Sequence, residues 1–323
     1  MNNGTDNALA AEVLSRAQGC LLGQLGGDAL GSLVEFRDPE EIREEYPNGV
    51  RELADGGTWS TIAGQPTDDS EMALSLAHTI VEQGRYDPEK TRKAYRSWLD
   101  SDPFDCGGTV LSGLLGRHNP DSQANGALMR ISPLGIFGTH HDPAQVAEWA
   151  RQDAALTHVH PVCLQANALF AMAIAHAIRT GCDRRSLYAQ VAQWSEETDL
   201  DETLADAVTG ASVAPPNQYL RPVAGWVLVA FQNALWQLLH AVSLEEALVG
   251  TVMRGGDTDT NAAICGALFG AVEGRDAIPA QWSECLRNCR PAKGRPGVNQ
   301  PRPKRFWPVD AHKLAERLLW AGR

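Results

Sequence analysis

The chain has 323 residues, 43% hydrophobic and 21% charged, an ordinary globular composition with enough apolar residues for a sizeable core. Its formal charge of −12 argues against nucleic acid as a partner, because phosphate backbones are bound by basic surfaces. A small anionic ligand stays open if metals or a few arginines neutralise it locally.

The start, Met1 to Asp6, is polar and carries no signal peptide. No apolar run is expected to span a bilayer, so the expectation is a cytoplasmic protein with no membrane partner. Residues 8–36 read as a helix, with Val13, Leu14, Ala17, Cys20, Leu21, Leu22 and Leu25 apolar. Gly19, Gly23, Gly27 and Gly31 recur in it at every fourth position. Each costs about 1 kcal/mol against Ala in a helix interior. Positions i and i+4 share a face, so this ridge of bare backbone implies a tight helix crossing. Asp28 and Glu35 are candidate site carboxylates; the alternative for Glu35 is a solvated acid at a helix end.

Residues 37–66 are polar and rich in Gly and Pro, a long connection of the kind that often covers a site. Thr67-Asp68-Asp69-Ser70-Glu71 then opens a helix whose apolar positions are Met72, Leu76, Ala77, Ile80 and Val81, ended by Gly84. Asp87-Pro88 starts another helix through Leu99, with Pro at the first position. Asp105 follows in a loop before Gly107 and Gly108, where it either caps the next helix or points into a site. Asn125-Gly126 is a turn whose backbone N–H groups can face a ligand. Arg130 beyond it is either a phosphate partner or an ordinary surface arginine. Thr157-His158 precedes an Ala-rich helix reaching about Arg179. A lone histidine such as His158 is more often a structural hydrogen-bonder than a ligand.

Helices continue through 183–197 and 201–209. After Ala214-Pro215-Pro216-Asn217 comes another over 225–241, with Trp226 and Phe231 as core candidates. Ser243-Leu-Glu-Glu246 is a capping box, and its helix leads into Gly255-Gly256-Asp257-Thr258-Asp259-Thr260 and a helix of small residues. Asp257, Asp259 and Thr260 on a Gly-Gly turn are hard oxygen ligands of the kind Mg²⁺ or Mn²⁺ prefers. Capping accounts for one Asp or Thr, not for Asp-Thr-Asp-Thr after two glycines. Thr67, Asp68 and Asp69 form a matching acidic turn, and the two can converge on divalent cations as facing helices of a bundle do. Residues 279–289 read as helix, 290–308 as basic, Pro-rich and irregular, and Asp310 as the cap of a last helix over 311–320. The seven cysteines are an odd number, and Cys20, Cys163 and Cys265 read as buried thiols rather than parts of a disulfide frame. With no alternating strand pattern, the fold class is all-α: one domain over 8–290, with a Pro/Arg-rich segment and C-terminal helix, 291–323, packed on it.

Four motifs in order resemble the ADP-ribosylglycohydrolase family: Gly23-Gln-Leu-Gly-Gly-Asp28-Ala-Leu-Gly31 with Glu35; Thr67-Asp68-Asp69-Ser70; Asn125-Gly-Ala-Leu-Met-Arg130-Ile-Ser-Pro133; and Gly255-Gly-Asp257-Thr-Asp259-Thr260-Asn-Ala. The resemblance covers about residues 10 to 290 and leaves the C-terminal segment without a role. Ser70 stands where the family usually has Thr, and keeps a hydroxyl. The resemblance implies a single-domain helical bundle with a binuclear metal site, its two Mg²⁺ (or Mn²⁺) ions held by Thr67, Asp68, Asp69, Asp257, Asp259 and Thr260. It implies that Asn125, Gly126, Met129, Arg130, His158, Trp226, Gly255 and Gly256 bind ADP-ribose, with Trp226 near the adenine. It places Glu35 and Asp105 near the ribose, as catalytic partners of Asp68 and Asp69. The implied reaction is metal-dependent hydrolysis freeing ADP-ribose from a modified protein, with arginine favoured because the loop around Asp105 resembles the arginine-directed branch. Two other readings are an immunity protein that neutralises an ADP-ribosylating toxin by hydrolysis or direct binding, and a di-metal hydrolase of free ADP-ribose derivatives.

Overall fold

The glycine ridge decides the layout. In the computed structural model, which describes residues 3–322, the first helix, α1, runs Asn3–Gly31. It is followed by α2 (Pro39–Glu45), α3 (Asp68–Gln83), α4 (Pro88–Leu99), α5 (Gly108–Leu114), α6 (Ser132–Phe137), α7 (Pro143–Ala155) and α8 (Pro161–Thr180). Then come α9 (Arg184–Glu197), α10 (Glu202–Gly210), α11 (Val227–His240), α12 (Leu244–Val252), α13 (Thr258–Glu273), α14 (Ala280–Asn288) and α15 (Ala311–Leu319). Among the described residues there is no strand, only isolated bridges at Gly56–Thr61 and Ala124–Trp226. The fold is the expected all-α single domain.

A Cβ at Gly23 would overlap the Gly266 carbonyl, one at Gly19 the Gly270 carbonyl, and one at Gly27 the Ala262 carbonyl. The pairing numbers fall on one helix as they rise on the other, so α1 and α13 run antiparallel, backbone against backbone. Small residues on both faces permit that approach, and a methyl group on either would push the pair apart. The consequence is positional. The C-terminal end of α1, with Glu35 just beyond, meets the N-terminal turn of α13, which carries Asp257, Asp259 and Thr260. Thr258 Oγ1 locks the junction by donating to the Gly31 carbonyl at 2.7 Å, and Phe36 N donates to Gly256 O at 2.7 Å.

Several expectations need adjustment. The 37–66 connection contains α2, capped by Asp38, whose side chain accepts from Glu40 N. Asp310 sits at the N-cap of α15, but its side chain makes no capping bond. Helix α8 is long and apolar enough to cross a membrane by length and composition, contrary to the sequence reading, but most of it is buried within the protein, as befits a core helix. In the C-terminal segment, Leu314, Ala315, Leu318 and Leu319 of α15 enter the common core against α1, α3 and α6. Cys20, Cys163 and Cys265 are buried free thiols.

Candidate metal and substrate cleft

A cavity of about 480 Å³ opens where α1, α3 and α13 bring their ends together. Glu35, Asp68, Asp105, Asp257, Asp259 and Thr260 line it. The two acidic turns, which lie far apart in the chain, therefore converge.

Asp28 explains how α3 can spare its acids. Thr67 is the N-cap of α3, yet its side chain makes no capping bond. Asp28, fully buried on α1, does the capping from another helix. It accepts from Thr67 N at 3.1 Å, Thr67 Oγ1 at 3.0 Å and Ser70 N at 3.0 Å. Asp28 is thus a structural clamp behind the cleft, and burial pushes its carboxyl up to about 6. Asp68 is freed to line the cavity, where it accepts from Gly107 N at 3.3 Å. Asp69 Oδ2 lies 3.1 Å from Thr67 Oγ1 and competes with Asp28 for its single proton, while its buried Oδ1 has no partner. Thr67 and Asp69 stand behind the lining residues rather than among them.

On the opposite wall, Gly255 and Gly256 both have φ near +70°, at 71° and 74°, the left-handed region that favours glycine. Gly256 lines the cavity; Gly255 instead backs onto Arg37 and Pro39 and does not reach the ligand space. Asp257 accepts from Asn125 Nδ2 at 2.7 Å, and Glu35 accepts from Trp59 Nε1 at 2.6 Å. Carboxylate oxygens of Glu35, Asp105 and Asp259 come within 4.8 Å of one another. Burial first, then the charges of Asp105 and Asp257, push Glu35 up to about 8. Burial is the leading cause for Asp68, Asp69 and Asp259 as well, with neighbouring carboxylates adding to it, and all three lie well above the usual carboxylate range. Among the described residues that line the cavity, Arg221 carries the only fixed positive charge, too little for this acidity.

The donor set fits divalent cations. Crowded buried carboxylates demand a counter-charge, the orphaned Asp69 Oδ1 shows an acceptor without its donor, and carboxylate and hydroxyl oxygens are the ligands of hard metals. Glu35, Asp105 and Asp259 are close enough together to share one ion; Asp68, Asp257 and Thr260 line the same cavity, with Thr67 and Asp69 behind it.

The Asn125 loop splits into two roles. Asn125, Gly126 and Met129 line the cavity. Arg130 does not, and the phosphate role expected of it is withdrawn: it is fully buried and paired with Asp153 at 3.2 Å. It donates to Gly126 O at 3.1 Å and Thr157 Oγ1 at 2.9 Å, and stacks over Tyr95. It is the peg on which the loop hangs.

Arg130 also sets the chemistry of His158. A guanidinium has donors only, so its bond occupies a lone pair of Thr157 Oγ1. Thr157 Oγ1 keeps its proton and a second lone pair, and it shares a hydrogen bond with His158 Nδ1, 2.7 Å away, whose direction follows the tautomer of the ring. Nε2 is buried without a partner on a residue that lines the cavity. Burial, with Arg130 and His118 adding, lowers His158 to about 3, so the ring stays neutral. Trp226 is 44% exposed, sits at the N-cap of α11 and does not line the cavity; its neighbour Gly225 does. Phe36, Asp38 and the 220–225 loop also line it, and none was singled out from the sequence. That loop's only advance signal was the Pro-rich turn before it.

The ADP-ribosylglycohydrolase family model matches residues 9–319. The chain belongs to the ADP-ribosylglycohydrolase family. Its match extends past residue 290, where the sequence resemblance was drawn to a close. Among the similar proteins is the ADP-ribosyl-dinitrogen reductase glycohydrolase of Rhodospirillum rubrum, 30% identical over 280 residues, covering 84% of this chain and 90% of the relative. The ADP-ribosylarginine hydrolase of Pseudomonas putida is 29% identical over 302 residues, covering 84% and 74%. An ADP-ribosylhydrolase of Homo sapiens is 26% identical over 328 residues, covering 85% and 90%. A solved structure of an ADP-ribosylglycohydrolase-related protein complex superposes with a TM-score of 0.79 at 26% identity, covering 97% of this chain and 100% of the other.

Proposed function

We propose that this protein is a divalent-cation-dependent hydrolase that frees ADP-ribose from a modified protein side chain, with arginine the favoured attachment residue and Mg²⁺ or Mn²⁺ the ion. The observation that carries the reading is the set of buried carboxylates without counter-charge around a cavity large enough for a nucleotide. The relatives' names support the substrate class, and one of them names the arginine linkage.

Cleavage of the glycosidic bond passes through an oxocarbenium-like transition state. The carboxylates of Glu35 and Asp105 are placed to stabilise positive charge on the anomeric carbon. They are also the acids positioned to hold or move a proton at the leaving nitrogen. Divalent cations, when bound, supply Lewis acidity and neutralise the acidic turns. The unpartnered His158 Nε2 and the side chain of Asn125 hydrogen-bond to the nucleotide. Arg221, whose guanidinium makes no ion pair among the described residues, faces the same space as a partner for the pyrophosphate. The protein partner is then an ADP-ribosylated protein.

The test is release of ADP-ribose from an arginine-ADP-ribosylated protein with Mg²⁺, with Mn²⁺ and with chelator. Release that chelator abolishes is the expected result. No release with either ion, while free ADP-ribose derivatives are cleaved, would replace protein-linked substrates with free ones.

A further inference from the structure

The C-terminal segment, which had no role in the sequence, meets the acidic cleft from behind. Arg302 is the centre of that meeting. It is 6% exposed, and all five of its guanidinium N–H groups are used. Nε and Nη2 hold the two oxygens of Glu71, at 2.8 Å and 2.7 Å. Nη1 donates to the carbonyls of Ser101 and Asp102, at 2.9 Å and 3.0 Å, and Nη2 also donates to Ser101 Oγ at 2.9 Å. Trp98 Nε1 completes Glu71 at 2.8 Å.

These partners are not arbitrary pieces of the core. Glu71 lies in the first turn of α3, next to Asp68 and Asp69. Ser101 and Asp102 begin the loop that carries Asp105, and Asp102 is held at a φ of 56°, a conformation a non-glycine residue keeps only when its surroundings enforce it. The neighbours of Arg302 extend the pattern. Gln300 accepts from Gln65 Nε2 at 2.7 Å, just before Thr67, and donates to Trp59 O at 3.2 Å. Trp59 is the residue whose indole holds Glu35. A buried ion pair is a poor source of net stability, because desolvation offsets the attraction. Apolar side chains would fill this space as well. What a planar five-donor fork supplies instead is fixed geometry between the segments it joins.

We propose that Arg302 is a positioning residue for the acidic centre, setting the spacing between the Asp68–Asp69 turn and the Asp105 loop through Glu71 and the 101–102 backbone. This rests on the cation-dependent reading of the cleft. It predicts that the C-terminal segment acts on cation binding and on the chemical step, beyond its share of stability. Outer-sphere partners that orient ligands typically matter by about 10- to 100-fold in affinity or activity.

The experiment compares the full-length wild type with R302K, R302Q and a control, L318A, which removes a buried side chain of α15 away from the cleft. For each, Mn²⁺ affinity is measured by calorimetric titration and kcat and KM are measured separately, at a temperature where melting curves show every variant folded. The expected result is weaker Mn²⁺ binding and a lower kcat for R302Q, by about 10-fold or more, with partial recovery in R302K. L318A should bind Mn²⁺ as the wild type does despite a comparable loss of melting temperature. Equal Mn²⁺ affinity and kcat in R302Q and wild type would overturn the proposal and leave the cation reading intact. A wild type that binds no Mn²⁺ would overturn both.

Discussion

Two buried polar clusters lie within one fold, and they are built on opposite terms. In the first, Arg130, Asp153, Tyr95, Thr157 and His158 form a closed circuit. Tyr95 donates to Asp153 at 3.0 Å, Arg130 pairs with Asp153, and Thr157 links Arg130 to His158. Its charge is balanced, and its single open end is His158 Nε2, which faces the cavity. In the second, Glu35, Asp68, Asp69, Asp105, Asp257 and Asp259 are crowded together without a comparable counter-charge. The balanced cluster is complete as it folds and therefore serves as scaffold. The unbalanced one has the chemistry of a site that a bound cation, or protons in its absence, would neutralise. Charge balance, more than burial or residue type, separates supporting residues from reacting ones here.

The contrast can be broken most strongly at the unbalanced cluster. Asp257→Ala is expected to cut turnover by more than the roughly 100-fold typical of outer-sphere changes. In chelator its melting temperature should not fall, because a repelling carboxylate has been removed. Circular dichroism with an ADP-ribose release assay checks both, and undiminished turnover in the folded variant would take Asp257 out of the site.

At the balanced cluster the main effect should fall on stability. Arg130→Met leaves Asp153 buried and unpaired, a change worth about 3–5 kcal/mol, read from urea unfolding. Adding Asp153→Leu should recover part of that loss, since a buried pair replaced whole by apolar groups is often neutral. If the single variant is as stable as the wild type, the peg role assigned to Arg130 is wrong.

The pH response sharpens the difference. Glu35 is raised from 4.5 to about 8 in the folded protein, and Asp68, Asp69 and Asp259 are raised as well. The folded state binds these protons more tightly than the unfolded state. Their stabilising contribution is therefore complete below about 4.5 and is lost as pH rises towards 8. Without cations the protein should become less stable across that window, and the melting-temperature gain from Mg²⁺ should be larger at pH 8 than at pH 5. Melting scans with and without chelator decide it; a gain independent of pH would mean the carboxylates are not the ligands.

A smaller effect is expected where the two clusters touch. Thr157→Val removes the hydroxyl that holds the His158 ring through Nδ1. One neutral hydrogen bond is worth about 1 kcal/mol, so KM should rise by several-fold while kcat holds. An unchanged KM would detach His158 from substrate binding.

Much of the site could be read locally. Gly255-Gly256-Asp257-Thr258-Asp259-Thr260 and Thr67-Asp68-Asp69 are contiguous, and their chemistry is visible in the residue types. The glycine ridge also announced a close crossing, because four mid-helix glycines weaken the isolated helix and only a tightly packed neighbour on that face offsets the loss. Roles that depend on a partner distant in sequence were read less well. Arg130 has the composition of a phosphate ligand, and only the position of Asp153 makes it a scaffold residue. Asp28 looked like a site acid and proved to be the cap of α3, because Thr67 leaves that task open. Trp226 stays outside the cavity, exposed at the N-cap of α11, while its neighbour Gly225 lines it.

Helix content, the acidic turns and the α1 ridge follow from short-range rules, which depend on neighbours within a turn or two. Which carboxylates meet, which are capped or paired, and how residues 299–302 back the cleft depend on contacts spanning most of the chain, such as Arg302 with Glu71 and Thr258 with Gly31. Side-chain periodicity carries no record of such contacts. The antiparallel packing of α1 on α13 creates them, and with them the charge imbalance that makes the cleft a site.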